Sequence, residues 1–312
     1  RDLFAIVMLF GIYSLLSAGF FVTMDAVDVA LTEASVGAGI TTVLMLGTLA
    51  LTVRKEKPHR KPASMLPLAV VTITGLVLMY GTLDMPYMGD PDAPVHQHVA
   101  PRYIEDSYEE IGLPNIVTSV LASYRGFDTL GEVVVIFAAG LGVLTLLGLS
   151  GDERHRVRPA VMEHHVVLRV ITKALIPLIL LYALYIQFHG DYGPGGGFQA
   201  GVIFGAAIIL YTIIFGLTKG QKVISPAVLR FLMGSGALIY GGTGLVALAL
   251  GGNFLDYDVL AHDPHHGQHY GILIVEFGVG VTVTAVMISI FFNFTGRATE
   301  APGSASRIEE KE

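Results

Sequence analysis

The sequence predicts an all-α, polytopic membrane protein of about eight transmembrane helices. Three observations carry that expectation: eight long apolar stretches, a charged content of only 14% beside 53% hydrophobic residues, and a mean hydropathy of +0.63. Soluble domains carry roughly 25% charged residues. A span needs about 20 predominantly apolar residues, because every backbone polar group in hydrocarbon must be satisfied within its own helix. The stretches lack the period-2 alternation of a transmembrane barrel.

In chain order the stretches run from Leu3 to Val22, Val29 to Val53, Met65 to Leu83, Phe127 to Leu149, Val166 to Phe188, Gly196 to Leu217, Pro226 to Leu250 and Gly271 to Phe294. The first has too little positive charge before it, and no small-residue cleavage site after it, to read as a signal peptide, so it is expected to be a resident span. A start at Arg1 without Met suggests a chain cut from, or processed out of, something longer. With no Trp, Tyr and Phe must supply the interfacial belt.

Composition also excludes functions. The chain has no cysteine, which removes disulfides, thiolate metal sites and cysteine nucleophiles. A net charge of −7 leaves no basic face to track phosphates, so nucleic acid is not an expected partner. No Walker motif, dinucleotide fingerprint or nucleophile elbow occurs in a workable context, so the chain is not expected to be an enzyme, and energy must come from an ion gradient or a partner.

Basic residues set the expected orientation, since Lys and Arg are retained on the cytoplasmic side. Arg54, Lys55, Lys57, Arg60 and Lys61 fill one loop, Arg154, Arg156 and Arg158 the next on that side, and Lys219 and Lys222 the third. Seventeen of the 19 basic residues fall on or near that face, Arg102 and Arg125 being the exceptions. The opposite loops are acidic, with Asp84, Asp90, Asp92, Glu105, Asp106, Glu109 and Glu110 before the fourth span and Asp256, Asp258 and Asp263 before the eighth. The expected location is a prokaryotic cell membrane, with the basic loops and the C-terminus cytoplasmic.

The charged stretch 150–165, containing Pro159, separates four spans from four and reads as a module boundary; residues 296–312 read as a polar, disordered tail.

An ionisable side chain at the bilayer centre costs on the order of 2.5–3.5 kcal/mol, so each one needs a reason. Glu33 lies about a turn into the second span, while Asp25 and Asp28 before it are expected at the interface. Asp128 and Glu132 open the fourth span at i, i+4 spacing, on one helix face, where like charges repel unless a proton or a cation intervenes. A helix N-terminus decorated with acids is the alternative, and it fits Asp128 better than the deeper Glu132. Glu276 lies about a turn and a half into the eighth span, at the same depth. Lys173, with Arg169 four residues before it, sits nearly two turns into the fifth span, where snorkelling and pairing with a buried carboxylate are both open.

Two loops carry unusual composition. FHGDYGPGGGFQAG, residues 188–201, joins the fifth and sixth spans with permissive backbone and free carbonyls and amides, and runs into a stripe of Gly197, Gly201 and Gly205 that lets another helix, of this chain or of another subunit, approach closely. HDPHHGQH, residues 262–269, resembles a metal-binding tract by composition, yet it lacks a helical His pair with a catalytic Glu and reads as a surface loop with incidental His.

Three motifs then resemble one known family. MDAVDVALTEASVGAG at 24–39 is similar to the carboxy-terminal, MbhD-like part of the large A subunit of Mrp-type multisubunit Na+/H+ antiporters; YRGFDTLGE at 124–132 is similar to the adjoining MbhE-like segment; and residues 188–201 resemble the signature of the B subunit, MrpB or MnhB. The resemblance implies an A-subunit tail fused to a B subunit: MbhD-like helices over 1–84, an outer loop and MbhE-like helix over 85–149, a cytoplasmic linker over 150–165, an MnhB-like four-helix module over 166–295 and the tail. It implies a membrane subunit of an antiporter complex that contributes a Na+ path, with transient Na+ at Glu33, Asp128 and Glu132; Glu276 and Lys173 join the ion-translocation set from their depth alone. In the loop it marks His189, Gly190, Pro194, Gly195, Gly196, Gly197, Phe198 and Gln199 as signature positions. No cofactor is expected beyond transported Na+ and H+. Expected partners are membrane lipid, the large proton-translocating A and D subunits and the small C, E, F and G subunits. A scaffold role, and membership of a hydrogenase-type or complex I-like pump, are the competing readings.

Overall fold

The computed structural model describes residues 2–56, 65–87, 89–147 and 165–297. Of the sequence expectations, the linker 150–165 apart from His165, the tail beyond Arg297, and Lys57, Arg60, Lys61, Arg154, Arg156 and Arg158 lie outside the described residues. The chain is an all-α polytopic membrane protein, with eight helices among the described residues that are long and apolar enough to span: α1 Leu3–Thr23, α2 Val27–Leu49, α3 Met65–Thr82, α4 Gly126–Leu147, α5 Val166–His189, α6 Gly197–Phe215, α7 Pro226–Ala249 and α8, whose apolar window lies in Pro264–Gly296.

Helix starts follow local chemistry. Asp2 caps α1 by accepting the Phe4 N–H at 3.0 Å, and Ser225 caps α7 ahead of Pro226, which needs no N–H at that position. α1 and α2 are joined by a tight turn in which Asp25 takes a left-handed φ of 61°. They pack through small residues: a side chain on Gly11 would stand 2.8 Å from Thr42 Oγ1, and one on Gly37 would stand 2.8 Å from Ser14 Oγ. Between these contacts α2 widens into a π-helical stretch, Glu33–Thr41.

The core is built around α8, which packs against α7, α6 and α4. Its buried face presents Ile272, Val275, Val279, Val283, Val286 and Ile288. The glycine stripe of α6 is used within the chain: a Cβ on Gly197 would fall 1.8 Å from the Glu276 carbonyl oxygen, and one on Gly201 would fall 2.7 Å from that of Gly280. Thr284 Oγ1 donates to the Gly201 carbonyl at 3.0 Å across the same seam. The neighbour that these glycines admit is therefore α8.

α8 runs over 34 residues, Pro264–Arg297, about 50 Å at 1.5 Å per residue and well beyond the roughly 30 Å of a hydrocarbon core. Its start corrects the sequence reading, which placed residues 262–269 in a loop and the span from Gly271. Asp263 accepts the His265 N–H at 3.1 Å and begins the helix. Gly267 and Gly271 then let the 3-10 turn Tyr257–Leu260 lie against it, with Tyr257 Cγ only 2.3 Å from where a Gly271 Cβ would be. His265, His266 and His269 of that tract ride on the first helical turns, and His262 precedes them.

α3 has no buried residue, and large apolar side chains such as Leu66, Val71, Leu78 and Tyr80 face outward along it. The segment between α3 and α4 folds over one end of the bundle as short helical turns, including Ser107–Ile111 and the π turn Ser119–Tyr124. There Arg102 donates to Glu110 at 3.0 Å, Tyr124 donates its hydroxyl to the same carboxylate, and Arg102 lies over the Tyr124 ring.

Candidate ion-binding cavity

At the end of the bundle covered by these turns, carboxylates from three separate spans line one cavity of about 280 Å³: Asp28 of α2, Glu132 of α4 and Glu276 of α8. Thr118, Gln199 and Tyr240 add polar atoms, and the backbone of Gly195–Gly197 forms one wall.

The glycine loop is held rigidly. Asn115 Nδ2 donates to the carbonyls of Gly190 at 2.8 Å and Gly193 at 2.9 Å, Thr118 Oγ1 donates to Gly190 O at 2.6 Å, and the Asn115 N–H reaches Asp191 O at 3.1 Å. The loop closes with Gly196 N–H on the Ile186 carbonyl at 3.0 Å. Gly196 adopts φ 108°, which L side chains rarely take, and a Cβ there would stand 2.9 Å from Glu276 Oε1. A Cβ on Gly190 would stand 3.2 Å from Glu276 Oε2. The glycines are thus what allows bare backbone to lie against a carboxylate.

Asp28 is 9% exposed, and its Oδ1 accepts the Gly195 N–H at 3.1 Å. One turn on, Thr32 Oγ1 accepts from Gln199 Nε2 at 2.8 Å, a second tie between α2 and α6. Glu276 is also 9% exposed, and its Oε2 has no hydrogen-bond partner among the described residues. A buried carboxylate oxygen without a donor costs several kcal/mol unless a proton or a cation compensates it. Beside two further carboxylates, the pocket is chemically a receptor for positive charge.

Behind the loop, Asp191 is 5% exposed and its Oδ2 meets His269 Nδ1 at 3.0 Å. Burial pushes the Asp191 carboxyl above the usual carboxylate range, and the adjacent imidazole opposes this.

Of the residues singled out from sequence, Glu132 and Glu276 line the cavity, as do Gly195, Gly196, Gly197, Phe198 and Gln199 of the signature loop. Glu33 is half-buried and lies instead along the α1–α2 contact, its Oε1 2.6 Å from where a Gly37 Cβ would be. Asp128 is not beside Glu132 in the cavity: it is paired with Arg125 at 2.6 Å, each side chain 58% exposed. Lys173 stands far from the cavity, its Nζ 5.8 Å from the Phe215 ring; the 16 residues from Lys173 to His189 put about 24 Å of helix between it and the loop. His189 stacks on Tyr185 at 4.8 Å.

Sequence reasoning missed Asp28, Asp191 and His269. Asp28 was expected at the interface beside Asp25; Asp25 is exposed and Asp28 is buried. The available signal was the short outer turn, which carries the chain from α1 into α2 so quickly that Asp28 falls within the first helical turn. Nothing in the sequence signals that Asp191 is buried, because its cover comes from α8 and from residue 115.

Three consecutive family matches agree with this architecture. Residues 1–54 match MbhD, described as the D subunit of MBH, residues 66–165 match MbhE, described as the E subunit of MBH, and residues 167–289 match MnhB ("Domain related to MnhB subunit of Na+/H+ antiporter"). The A/B subunit of a probable K(+)/H(+) antiporter of Rhizobium meliloti (strain 1021) is 27% identical over 98% of this chain and 34% of the relative. A putative antiporter subunit mnhB2 of Staphylococcus aureus is 32% identical over 43% of this chain and 96% of the relative. Among solved structures, the Mrp complex from Dietzia sp. DQ12-45-1b superposes with a TM-score of 0.73 at 27% identity, covering 97% of this chain and 33% of the other. The membrane-bound sulfane sulfur reductase, an archaeal respiratory membrane complex, gives 0.57 at 32% identity, covering 74% of this chain and 97% of the other. The chain therefore spans about a third of the A/B relative and of the Mrp chain. From the near-complete coverage of a B subunit, behind MbhD- and MbhE-type segments, this chain belongs to the MnhB family of Na+/H+ antiporter subunits.

Proposed function

We propose that the chain is a membrane subunit of a multisubunit cation/proton antiporter, and that the cavity lined by Asp28, Glu132 and Glu276 is a station for the transported monovalent cation. The observation that carries this is Glu276, a buried carboxylate whose Oε2 lacks a partner, beside two other acids. Na+ and K+ both suit such an oxygen-lined pocket. The A/B relative's name specifies K+ and the MnhB family description specifies Na+. Glu33, against Ser14 in the α1–α2 groove, is proposed as a second cation station. Asp128, next in sequence to the cavity-lining Thr129, is proposed to draw cations toward the mouth, and Lys173 to be a charge at the far end of the path. The partners in this reading are the remaining Mrp-type subunits, seated with lipid on the outward apolar faces of α1, α3 and α5, and the basic loops and C-terminus lie in the cytoplasm of a prokaryotic cell.

The test is cation-driven dequenching of a pH-gradient dye in everted vesicles holding the complete complex. Glu276→Gln and Glu132→Gln should each abolish exchange while the subunits still co-purify. Wild-type exchange in both variants would refute the reading, and loss of assembly before loss of exchange would favour a scaffold. A second reading, a membrane-arm subunit of a redox-driven complex, is favoured by the match to the sulfane sulfur reductase complex. Co-purification with iron–sulfur proteins would select it.

A further inference from the structure

We infer that Asp191 and His269 form a proton relay connecting the aqueous face of the bundle to Glu276, so that the cavity exchanges its cation for a proton delivered along the first turns of α8. This rests on the cation-station reading above. One group is open to water and two are buried: the His269 side chain is 40% exposed and that of Asp191 6%, and Glu276 is 9% exposed. His269 and Glu276 are seven residues apart on one helix, hence on one face and about 10 Å apart along the axis. The loop that carries Asp191 touches both ends of that interval. Its Oδ2 meets His269 Nδ1 at 3.0 Å, and the adjoining Gly190 lies against Glu276 Oε2 with no side chain between.

The unpartnered Oε2 faces the loop that carries Asp191. An ion pair that only tied the loop to α8 would need no third titratable group beside it, whereas a proton path needs a titratable group at each step and an acceptor at its end. Burial raises the Asp191 carboxyl above its ordinary value, and the neighbouring imidazole opposes this.

The balance is simple. Protonated His269 gives its proton to the Asp191 carboxylate, a water at the glycine wall carries it to Glu276, and the monovalent cation held by Glu276 leaves. His269 is reprotonated from the aqueous phase, so one proton enters for one cation released. The other titratable or charged groups on elements packed around His269 are Asp263, His265, His266 and Tyr270 of its own segment, Tyr257 and Asp258 of the 3-10 turn, and Tyr108, Glu109, Glu110 and Tyr124 of the covering turns, with His189 at the end of α5. Asp263 engages His266 at 3.6 Å, Asp258 accepts from Gln268 at 2.8 Å and Glu110 is taken by Arg102, so Asp191 is the carboxylate the structure pairs with His269.

The experiment uses the complete complex in everted vesicles with His269→Ala, Asp191→Asn and Glu276→Gln. His269→Ala should lower the maximal exchange rate about tenfold or more, leave the half-saturating cation concentration unchanged, and recover severalfold with added imidazole, which a merely structural role would not allow. Asp191→Asn, nearly isosteric, should lower the rate similarly without imidazole rescue. A His269→Ala complex that runs at the wild-type rate across the pH range, or is slow yet insensitive to imidazole, overturns the relay. If that variant does not assemble, a wild-type rate in Asp191→Asn overturns it instead. In each of these cases a dead Glu276→Gln leaves the cation station standing, whereas an active Glu276→Gln removes the station itself.

Discussion

Asp28 Oδ1 accepts the backbone N–H of Gly195 at 3.1 Å, joining two residues 167 positions apart. The bond ties the MbhD-type segment to the signature loop of the MnhB-type segment, and it uses an acid that also lines the cavity. Asp28→Ala leaves the half-buried Gly195 amide without its acceptor, a cost of about 1 kcal/mol or more. It should loosen the loop, read as protease sensitivity near residue 193 in the purified complex. Asp28→Asn retains an acceptor oxygen and should keep the loop protected while losing exchange, which separates the structural role of the bond from the electrostatic role of the charge.

The α6–α8 seam makes a sharper prediction. A methyl group on Gly197 would overlap the Glu276 carbonyl at 1.8 Å, which rigid backbone cannot evade, whereas Gly131 and Gly142 on α4 have nothing within 4 Å. Overpacking of this kind costs typically 1–3 kcal/mol and more when backbone must move. Gly197→Ala should lower the yield of assembled complex severalfold in size-exclusion chromatography, while Gly131→Ala and Gly142→Ala behave as wild type.

The covering turns should respond to acid through Glu110. The hydrogen bond from Tyr124 holds this carboxyl below its ordinary value of 4.5, against an opposing effect of burial and with the help of the Arg102 guanidinium. A folded pKa lying below the unfolded one means that the stabilisation is present above about pH 4.5 and is lost as pH falls through the lower folded value. Tyr124, pushed up to about 12 chiefly by burial and then by Glu110, stays protonated as the donor throughout. In thermal melts of the complex, wild type should exceed Glu110→Gln near neutrality and converge with it as the solution is acidified through the folded value. Asp191 has the opposite sign, since burial raises its pKa. Its contribution is complete below the unfolded value of 3.8 and is lost as pH rises through the folded one, so Asp191→Asn should flatten that part of the profile.

Hydropathy made the spans legible because lipid imposes one rule on each span separately, and α1, α3 and α5 fall within a residue or so of the stretches read from sequence. The start of α8 was not legible: the polar tract 262–269 gives no apolar period, and it is helical because Asp263 caps it and the Tyr257 turn packs on its glycines. Of the acids, Glu132 and Glu276 could be found from depth alone. Asp28 and Asp191 could not, since their burial is supplied by chain more than 70 residues away in sequence.

Asp128 and Glu132 share a helix face in the sequence, and the structure gives them different surroundings. Asp128 is held by Arg125 in a pair 58% exposed on each side, while Glu132, one turn deeper, lines the cavity with Thr129. An exposed ion pair contributes at most about 1 kcal/mol, so Asp128→Asn should leave assembly unchanged. If its carboxylate draws cations toward the rim, its removal raises the half-saturating cation concentration a fewfold and leaves the maximal rate intact, an effect that fades at high ionic strength. Glu132→Gln should do the reverse and remove the maximal rate itself, because no other acid on α4 lines the pocket. Measuring exchange against cation concentration for both variants, at low and at high background choline chloride, separates a steering charge from a binding ligand. An Asp128→Asn complex with a collapsed maximal rate would show that Asp128 leaves Arg125 to join Glu132 during turnover.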